Sequence, residues 1–427
     1  MKKIGFFLEN ASIASVDCSQ SIESNPGIGG TEWLIIVVAT LLSRRDNNLE
    51  IILYTEVDGR LPEGINTKTV GTIAECILSG VNDGLDYLIV KHNVQNIYDK
   101  VLDAPLPLKL ICWCHIFVCT WELDYYADNQ NVYKLVFVSR EMYDMYIDHR
   151  GANKFTYIYN CVNTARAKGL YALSQNNRDR HNVVTYIGSL VPFKGFHLLA
   201  KAWPKIIEAV PDAELNVIGS GKLYNSNQRL GKWGIAESSY EAEFMPYLTK
   251  EGSLLPDVKF WGVLGEEKDS ILSRTKVGVP NPSGISETFC LSAVEMQMLG
   301  AKVTSIAYPG LVDTIHYGRI YNNADQLAES VIELLRTDDC DYSQAMHFFE
   351  ENFSYEAVVS KWEELLSEGR LVLNSGLVHP FYRFKWLKYC MSKVKSVIPI
   401  FRGLPMTERG LVCIERLFRG RVTYIDT

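Results

Sequence analysis

The chain has 427 residues, 47% hydrophobic and 22% charged, a globular balance too long for one core, so two domains of ordinary size are predicted. A formal charge of −7 argues against nucleic acid as a main partner. That charge is uneven: residues 378–427 hold ten Lys/Arg against three Asp/Glu, a net of +7 that leaves −14 on the rest.

The ten cysteines lie mostly inside apolar runs without framework spacing, which points to a reducing, cytoplasmic compartment. The opening MKKIGFFLE holds an apolar run too short for a signal sequence and reaches Glu9 at once. The longest apolar helix candidate, 33–42, is too short to span a bilayer, so no membrane-spanning segment is expected.

Residues 3–8 have strand length and composition, and the polar loop after them ends in NPGIGG. Gly27, Gly29 and Gly30 precede a helix that is apolar all round over 33–42, hence buried. Strand, glycine loop and helix start make a phosphate cradle, which Gly29 and Gly30 would let a ligand approach closely. The same turn can serve helix packing, and its glycines do not match the dinucleotide fingerprint. Further β-rich runs fall at 49–54, 87–90, 109–114, 134–139 and 155–159, with a helix-like segment at 140–150. Residues 1–165 therefore read as a parallel sheet with covering helices. His115 lies just beyond the 109–114 strand, where such sheets form their ligand crevice, although a histidine beside apolar residues is also commonly a satisfied structural one. Cys112, Cys114, His115 and Cys119 fit no common zinc spacing, and LICWCHIFVC reads as a buried strand.

Residues 166–182 are polar and read as a linker, SQNNRDRHN most clearly. The alternation then restarts: strand 183–187, helix 196–210, strand 215–218, a polar excursion over 222–257, strand 258–261, helix 266–274, strand 277–280 and, later, strand 303–306. This is a second Rossmann-like domain, 183–367, and two such domains leave a deep cleft between them. Lys194 lies between the first of these strands and its helix, either solvent-exposed or a phosphate partner; beside Glu287 the second reading is preferred. In PSGISETFCLSAVEMQMLG, residues 282–300, small polar residues lead into an apolar run that stops at Gly300, a loop feeding a glycine-capped helix. Glu287 then sits at the helix mouth and Glu295 about two turns in, roughly 12 Å along the axis. Surface helices carry glutamates routinely, and two carboxylates so far apart cannot share a proton or a metal. They can hold the two ends of an elongated ligand whose phosphate meets the helix N-terminus between them, which describes a nucleotide-sugar.

At this point the chain resembles the family 4 glycosyltransferases of the GT-B fold, over about residues 1–367. The matching pieces are GGTE (29–32), FVSREMYDMY (137–146), YNCVN (159–163), YIGSLVPFKGFHLL (186–199), PDAELNVIGSG (211–221), VKFWG (258–262), SETFCLSAVEMQMLG (286–300) and KWEELL (361–366). The resemblance implies that Glu287 binds hydroxyls of the transferred sugar beside the backbone of Phe289, Cys290 and Leu291, and that Glu295 holds the ribose. It further implies that Lys194 neutralises the pyrophosphate, that Gly30 offers its backbone from across the cleft, and that His115 meets the sugar. Gly29, Ser189, Gly219, Gly221 and Val263 complete the donor-binding set. The family transfers sugar with retention and without a metal or other cofactor.

Three departures stand out. Ser189 follows Gly188 where the family has arginine, so Arg229 or Lys222 substitutes or the protein is slow or inactive; Cys290 replaces a common glycine; and Cys161-Val162-Asn163 replaces GVD, read as structural. Asp339, Cys340 and Asp341 spell an acid-x-acid metal motif but follow a helix at 324–335, which reads as a solvated loop. In the tail, Phe381, Phe384, Leu387, Met391, Val394 and Ile398 recur at helical spacing among Lys385, Lys388, Lys393 and Lys395. Two readings stay open there: a helix lying on an anionic membrane through 380–421, or one docked on the acidic body.

The sequence thus predicts an α/β GT-B protein with a basic helical tail over 368–427. Its expected reaction is retaining, metal-independent transfer of a hexose or N-acetylhexosamine from a UDP- or GDP-sugar to a glycan or lipid-linked acceptor, in cell-surface polysaccharide, lipopolysaccharide or glycolipid synthesis. The alternative is a weak or inactive nucleotide-sugar binder of the same fold.

Overall fold

A computed structural model describes residues 1–45, 48–93, 104–174, 181–222, 228–337, 342–369, 371, 385–407 and 410. Among them, β1 (Lys2–Leu8), β2 (Leu49–Thr55), β3 (Asn66–Thr69), β4 (Tyr87–Lys91), β5 (Lys109–Cys114), β6 (Val132–Phe137) and β7 (Phe155–Tyr157) form one parallel sheet in the order β3-β2-β1-β4-β5-β6-β7. In the second domain come β8 (Val183–Ile187) and β9 (Glu214–Ile218), a small hairpin of β10 (Thr249–Lys250) and β11 (Ser253–Leu254), then β12 (Val258–Gly262), β13 (Val277–Gly278), β14 (Lys302–Ile306) and β15 (Gly318–Tyr321). Its parallel sheet runs β12-β9-β8-β13-β14-β15. Both orders reverse direction beside their first strand, so each domain opens a crevice at its strand ends, between β1 and β4 or between β8 and β13.

The core strands are apolar and β-branched or aromatic on both faces because helices cover both. Helix Gly30–Ser43 is buried from Trp33 through Thr40, as its unbroken apolar run requires.

Three expectations change. Residues 166–174, read as the start of a linker, belong to the helix Thr164–Ser174, packed on helix Leu291–Met298. Strands β3 and β15 have no alternating apolar pattern and are recognisable only from their pairing. Helix Tyr355–Glu368, placed with the second domain from sequence, returns to the first, where it packs on helix Gly30–Ser43. Trp362 is fully buried there, with its ring edge-on to Trp113 at 4.9 Å and near Phe6 at 6.3 Å, and Lys2 Nζ donates to the Leu366 carbonyl at 2.9 Å. Periodicity shows that such a helix buries one face, not which sheet receives it.

Two calls fall beyond this description. Residues 339–341, and Phe381 and Phe384 of the tail, lie outside the described residues.

Candidate functional site

A cavity of about 1260 Å³ lies between the domains, lined by Gly29, Gly30, Glu32, His115 and Asn160 from the first and by Lys194, Gly221, Val263, Glu287, Thr288, Phe289 and Leu291 from the second, among others. A branch of about 250 Å³ runs from Lys194 and Glu287 past Gly188, Ser189, Gly219 and Cys290 to Glu295 and Lys268. Every residue of the predicted catalytic and donor-binding set therefore lines one continuous groove.

Helix Leu291–Met298 has Cys290 as its N-cap, so its first N–H groups open toward this branch. Gly300 (φ +85°) ends it as expected, with the Ala301 N–H bonded to the Met296 carbonyl at 3.0 Å. Glu287 is not at the helix mouth but in the loop before it, where Asn281 (φ +37°), Gly284 (φ +71°) and Ser286 (φ +58°) hold the backbone out of helical conformation. The axial-rise estimate of its distance from Glu295 therefore does not apply.

That loop turns Glu287 toward Lys194. Their Oε2 and Nζ atoms are 2.8 Å apart, and Asn281 Nδ2 donates to the same oxygen at 2.8 Å. Lys194 follows β8 in a short turn ended by Gly195, so it emerges at the crevice. Farther along, Glu295 Oε1 and Lys268 Nζ are 3.0 Å apart. The groove thus carries a cation–carboxylate pair toward each end, with a helix N-terminus between.

The first domain supplies the opposite wall. Gly30 begins its helix directly across from Leu291; an added Cβ would lie 3.0 Å from Leu291 Cδ1. His115 is held by its ring against Trp113 at 4.7 Å, while its carbonyl accepts a hydrogen bond from the Thr288 hydroxyl at 2.7 Å, tying the two domains together at the site. Burial, with the Lys91 cation nearby, pushes the imidazole down to about 3, so it is neutral at physiological pH. Its Nε2 and the Oδ1 of the 3%-exposed Asn160 are buried polar atoms without partners among the described residues, and both residues line the cavity. Such atoms are costly to leave unpaired, and a ligand hydroxyl would satisfy them.

Ser189 is buried, its hydroxyl bonded to the Ser220 carbonyl at 3.3 Å, so no cation stands at that position. Lys222 lines the cavity; Arg229 is exposed and is not among the lining residues. The Cys290 thiol is buried, which raises it to about 12 and leaves it an inert wall. Gly219 (φ +139°) is a backbone requirement, since a Cβ there would sit 1.9 Å from the Gly188 carbonyl oxygen.

Sequence reasoning missed Lys268, Asn281, Thr288 and Asn160. Asn160 and Thr288 sit within the quoted YNCVN and SETFCLSAVEMQMLG motifs and could have been singled out by them; Lys268 and Asn281 are ordinary polar residues that only folding brings to the groove.

Known proteins resemble this chain in sequence family and in fold. Residues 181–337 match the family described as "Glycosyl transferases group 1". A Haemophilus influenzae protein described as an uncharacterized glycosyltransferase is 23% identical over 397 residues, 86% of this chain and all of that one. Among solved structures, Anabaena HepE in complex with UDP and glucose superposes with a TM-score of 0.59 at 17% identity, covering 86% of this chain and 100% of HepE. A Rickettsia africae glycosyltransferase (TM-score 0.63, 13% identity, 86% and 98% covered) and the Thermosynechococcus elongatus sucrose-phosphate synthase (0.63, 16%, 86% and 99%) share the architecture. The chain has the two-domain GT-B glycosyltransferase fold, and its second domain matches the group 1 glycosyl transferases.

Proposed function

We propose that the protein is a retaining, metal-independent glycosyltransferase of family 4 type. It moves a hexose or N-acetylhexosamine from a UDP- or GDP-sugar to a glycan or lipid-linked acceptor, in the cytoplasm. The observation that carries this reading is the convergence of Lys194, Glu287 and a helix N-terminus from one domain with Gly30 and His115 from the other across one cavity. The likeness in fold to HepE, whose structures hold UDP-glucose or UDP with glucose, supports a nucleotide-sugar donor.

In this reading the sugar lies between Glu287, Asn160 and neutral His115, and the ribose lies at Glu295 and Lys268. The pyrophosphate meets Lys194 and the first turn after Cys290. The anomeric carbon–phosphate oxygen bond breaks as the carbon bonds to the acceptor oxygen on the same face. The acceptor proton passes to the departing phosphate oxygen, whose charge Lys194 and the helix N-terminus stabilise.

The buried Ser189 favours a second reading, a nucleotide-sugar binder with weak or no turnover, because one expected cation is missing. Incubation with a panel of UDP- and GDP-sugars and candidate glycan acceptors, scored for released nucleotide and for the anomeric configuration of the product, separates the two. Donor-dependent release that collapses in Glu287→Ala supports the transferase; donor binding without release by any acceptor supports the binder.

A further inference from the structure

The tail helix Lys385–Val397 inverts the usual arrangement of an amphipathic helix on a protein surface. Lys385, Lys388 and Lys395 are at most 5% exposed, and they face inward. Lys385 Nζ sits 2.9 Å from Asp144 Oδ2 and is also bonded to Glu141; Lys388 Nζ donates to the Met145 carbonyl; Lys395 Nζ donates to the carbonyls of Asp148, Leu404 and Pro405. Tyr389, Ser392 and Thr407 add bonds to Asp144, Ile147 and Asp148. At 100° per residue, 385, 388, 392 and 395 share one side, and 386, 390, 393, 394 and 397 share the opposite one.

That opposite side is apolar and faces solvent. Trp386 is 69% exposed and Val397 77%; the following turn Pro399–Gly403 adds Ile400 at 82% and Phe401 at 38%. A protein surface seldom shows so many large apolar side chains together unless something covers them. The charges beside them have one sign. Residues 385–407 contain no Asp or Glu, and their exposed cations are Lys393 and Arg402. An exposed tryptophan with aliphatic anchors, flanked by cations and free of acids, complements an anionic bilayer interface, where the apolar groups enter the acyl boundary and the cations meet the headgroups.

We infer that the outward face of the C-terminal helix and turn, centred on Trp386, Val397, Ile400 and Phe401, is a docking surface for an anionic membrane, presented by lysines that are anchored in the protein rather than in the lipid. This locates the membrane contact on the face opposite Lys385, Lys388 and Lys395, so those three lysines contribute to folding and not to lipid affinity. The inference stands apart from the transferase reading, since it needs neither donor nor acceptor.

The test is co-sedimentation of the full chain with vesicles of phosphatidylcholine alone or mixed with phosphatidylglycerol. The parent should bind the mixed vesicles. A W386S/V397S/I400S/F401S variant, altered only at exposed positions and checked for an unchanged melting curve, should bind at least about tenfold more weakly. K393E/R402E, also exposed, should lose preference for the anionic vesicles and provides a second reading if the first variant folds poorly. Failure of the parent to bind, or binding unchanged in a folded variant, overturns the proposal. So does a parent dimer that the variant abolishes, which would make the face an interface between copies.

Discussion

Two lysine–glutamate pairs in this molecule have the same chemistry and opposite meaning. Lys194–Glu287 lies in the wall of the interdomain cavity, its side chains 15% and 11% exposed; Lys385–Glu141 lies under the tail helix, its side chains 2% and 3% exposed. A ligand can enter beside the first pair and exchange its contacts for sugar hydroxyls and phosphate. Nothing but the rest of the protein reaches the second. The difference teaches that an ion pair becomes a candidate site through what else can reach it, since sealing a pair makes it a structural liability that only its own partner relieves.

The largest effect should come from the sealed pair. Lys385→Ala leaves Glu141 and Asp144 without their nearest tail cation, and the loss is expected to be about 3–5 kcal/mol in urea unfolding. A loss below about 1 kcal/mol would mean that the cluster is hydrated and the contrast false.

At the open pair the order of effects reverses. Glu287→Ala and Lys194→Ala should destabilise less than Lys385→Ala does, because cavity water can solvate the partner left behind. Their nucleotide-release rates should drop by roughly one to two orders of magnitude, because each removes a charge-assisted contact of about 1.5–3 kcal/mol. Both variants turning over every donor at the parental rate would remove the assignment.

The seam between the two regions supplies a pH test. Asp313 of the second domain accepts the Glu141 N–H at 2.7 Å, and burial, then the nearby Glu141 carboxylate, raises its carboxyl to about 7. Asp144 also opposes its charge and Lys385 favours it. The folded state therefore holds a proton that the unfolded chain has lost, so this group's contribution to stability falls as pH rises from 3.8 toward about 7 and is flat above. Asp313→Asn has no such loss. Its stability relative to the parent should climb across that window, by about 4 kcal/mol in all, in melts taken at several pH values. A gap that does not change with pH would place Asp313 as an ordinary carboxylate.

The smallest effect concerns the missing arginine. If Lys222 stands in for it, Lys222→Ala should slow nucleotide release about three- to tenfold, with Arg229→Ala unchanged. The reverse result would exchange their roles.

Much of the donor half was legible because strand, glycine loop and helix start are local features. The PSGISETFCLSAVEMQMLG stretch announced its glycine-capped helix, and Lys194 its position between strand and helix. Glu287 was placed slightly wrongly because positive-φ residues such as Asn281 and Ser286 carry no sequence mark of that conformation. Of the two readings left open for the tail, docking on the acidic body is the one the structure shows: Lys385, Lys388 and Lys395 turn inward because the first domain offers Glu141, Asp144 and a row of carbonyls there, while Lys393 stays exposed.

What the sequence determined by itself was the alternation of elements and the two parallel sheets, which follow from short-range periodicity and turn chemistry, while most groups along the groove were named through the family resemblance. What only the tertiary structure decided was pairing: Lys268 with Glu295, Thr288 with the His115 carbonyl, Trp362 with the first sheet and Lys385 with Glu141. Those contacts join residues distant in the chain, and no local preference encodes which distant partner the closed fold will bring near.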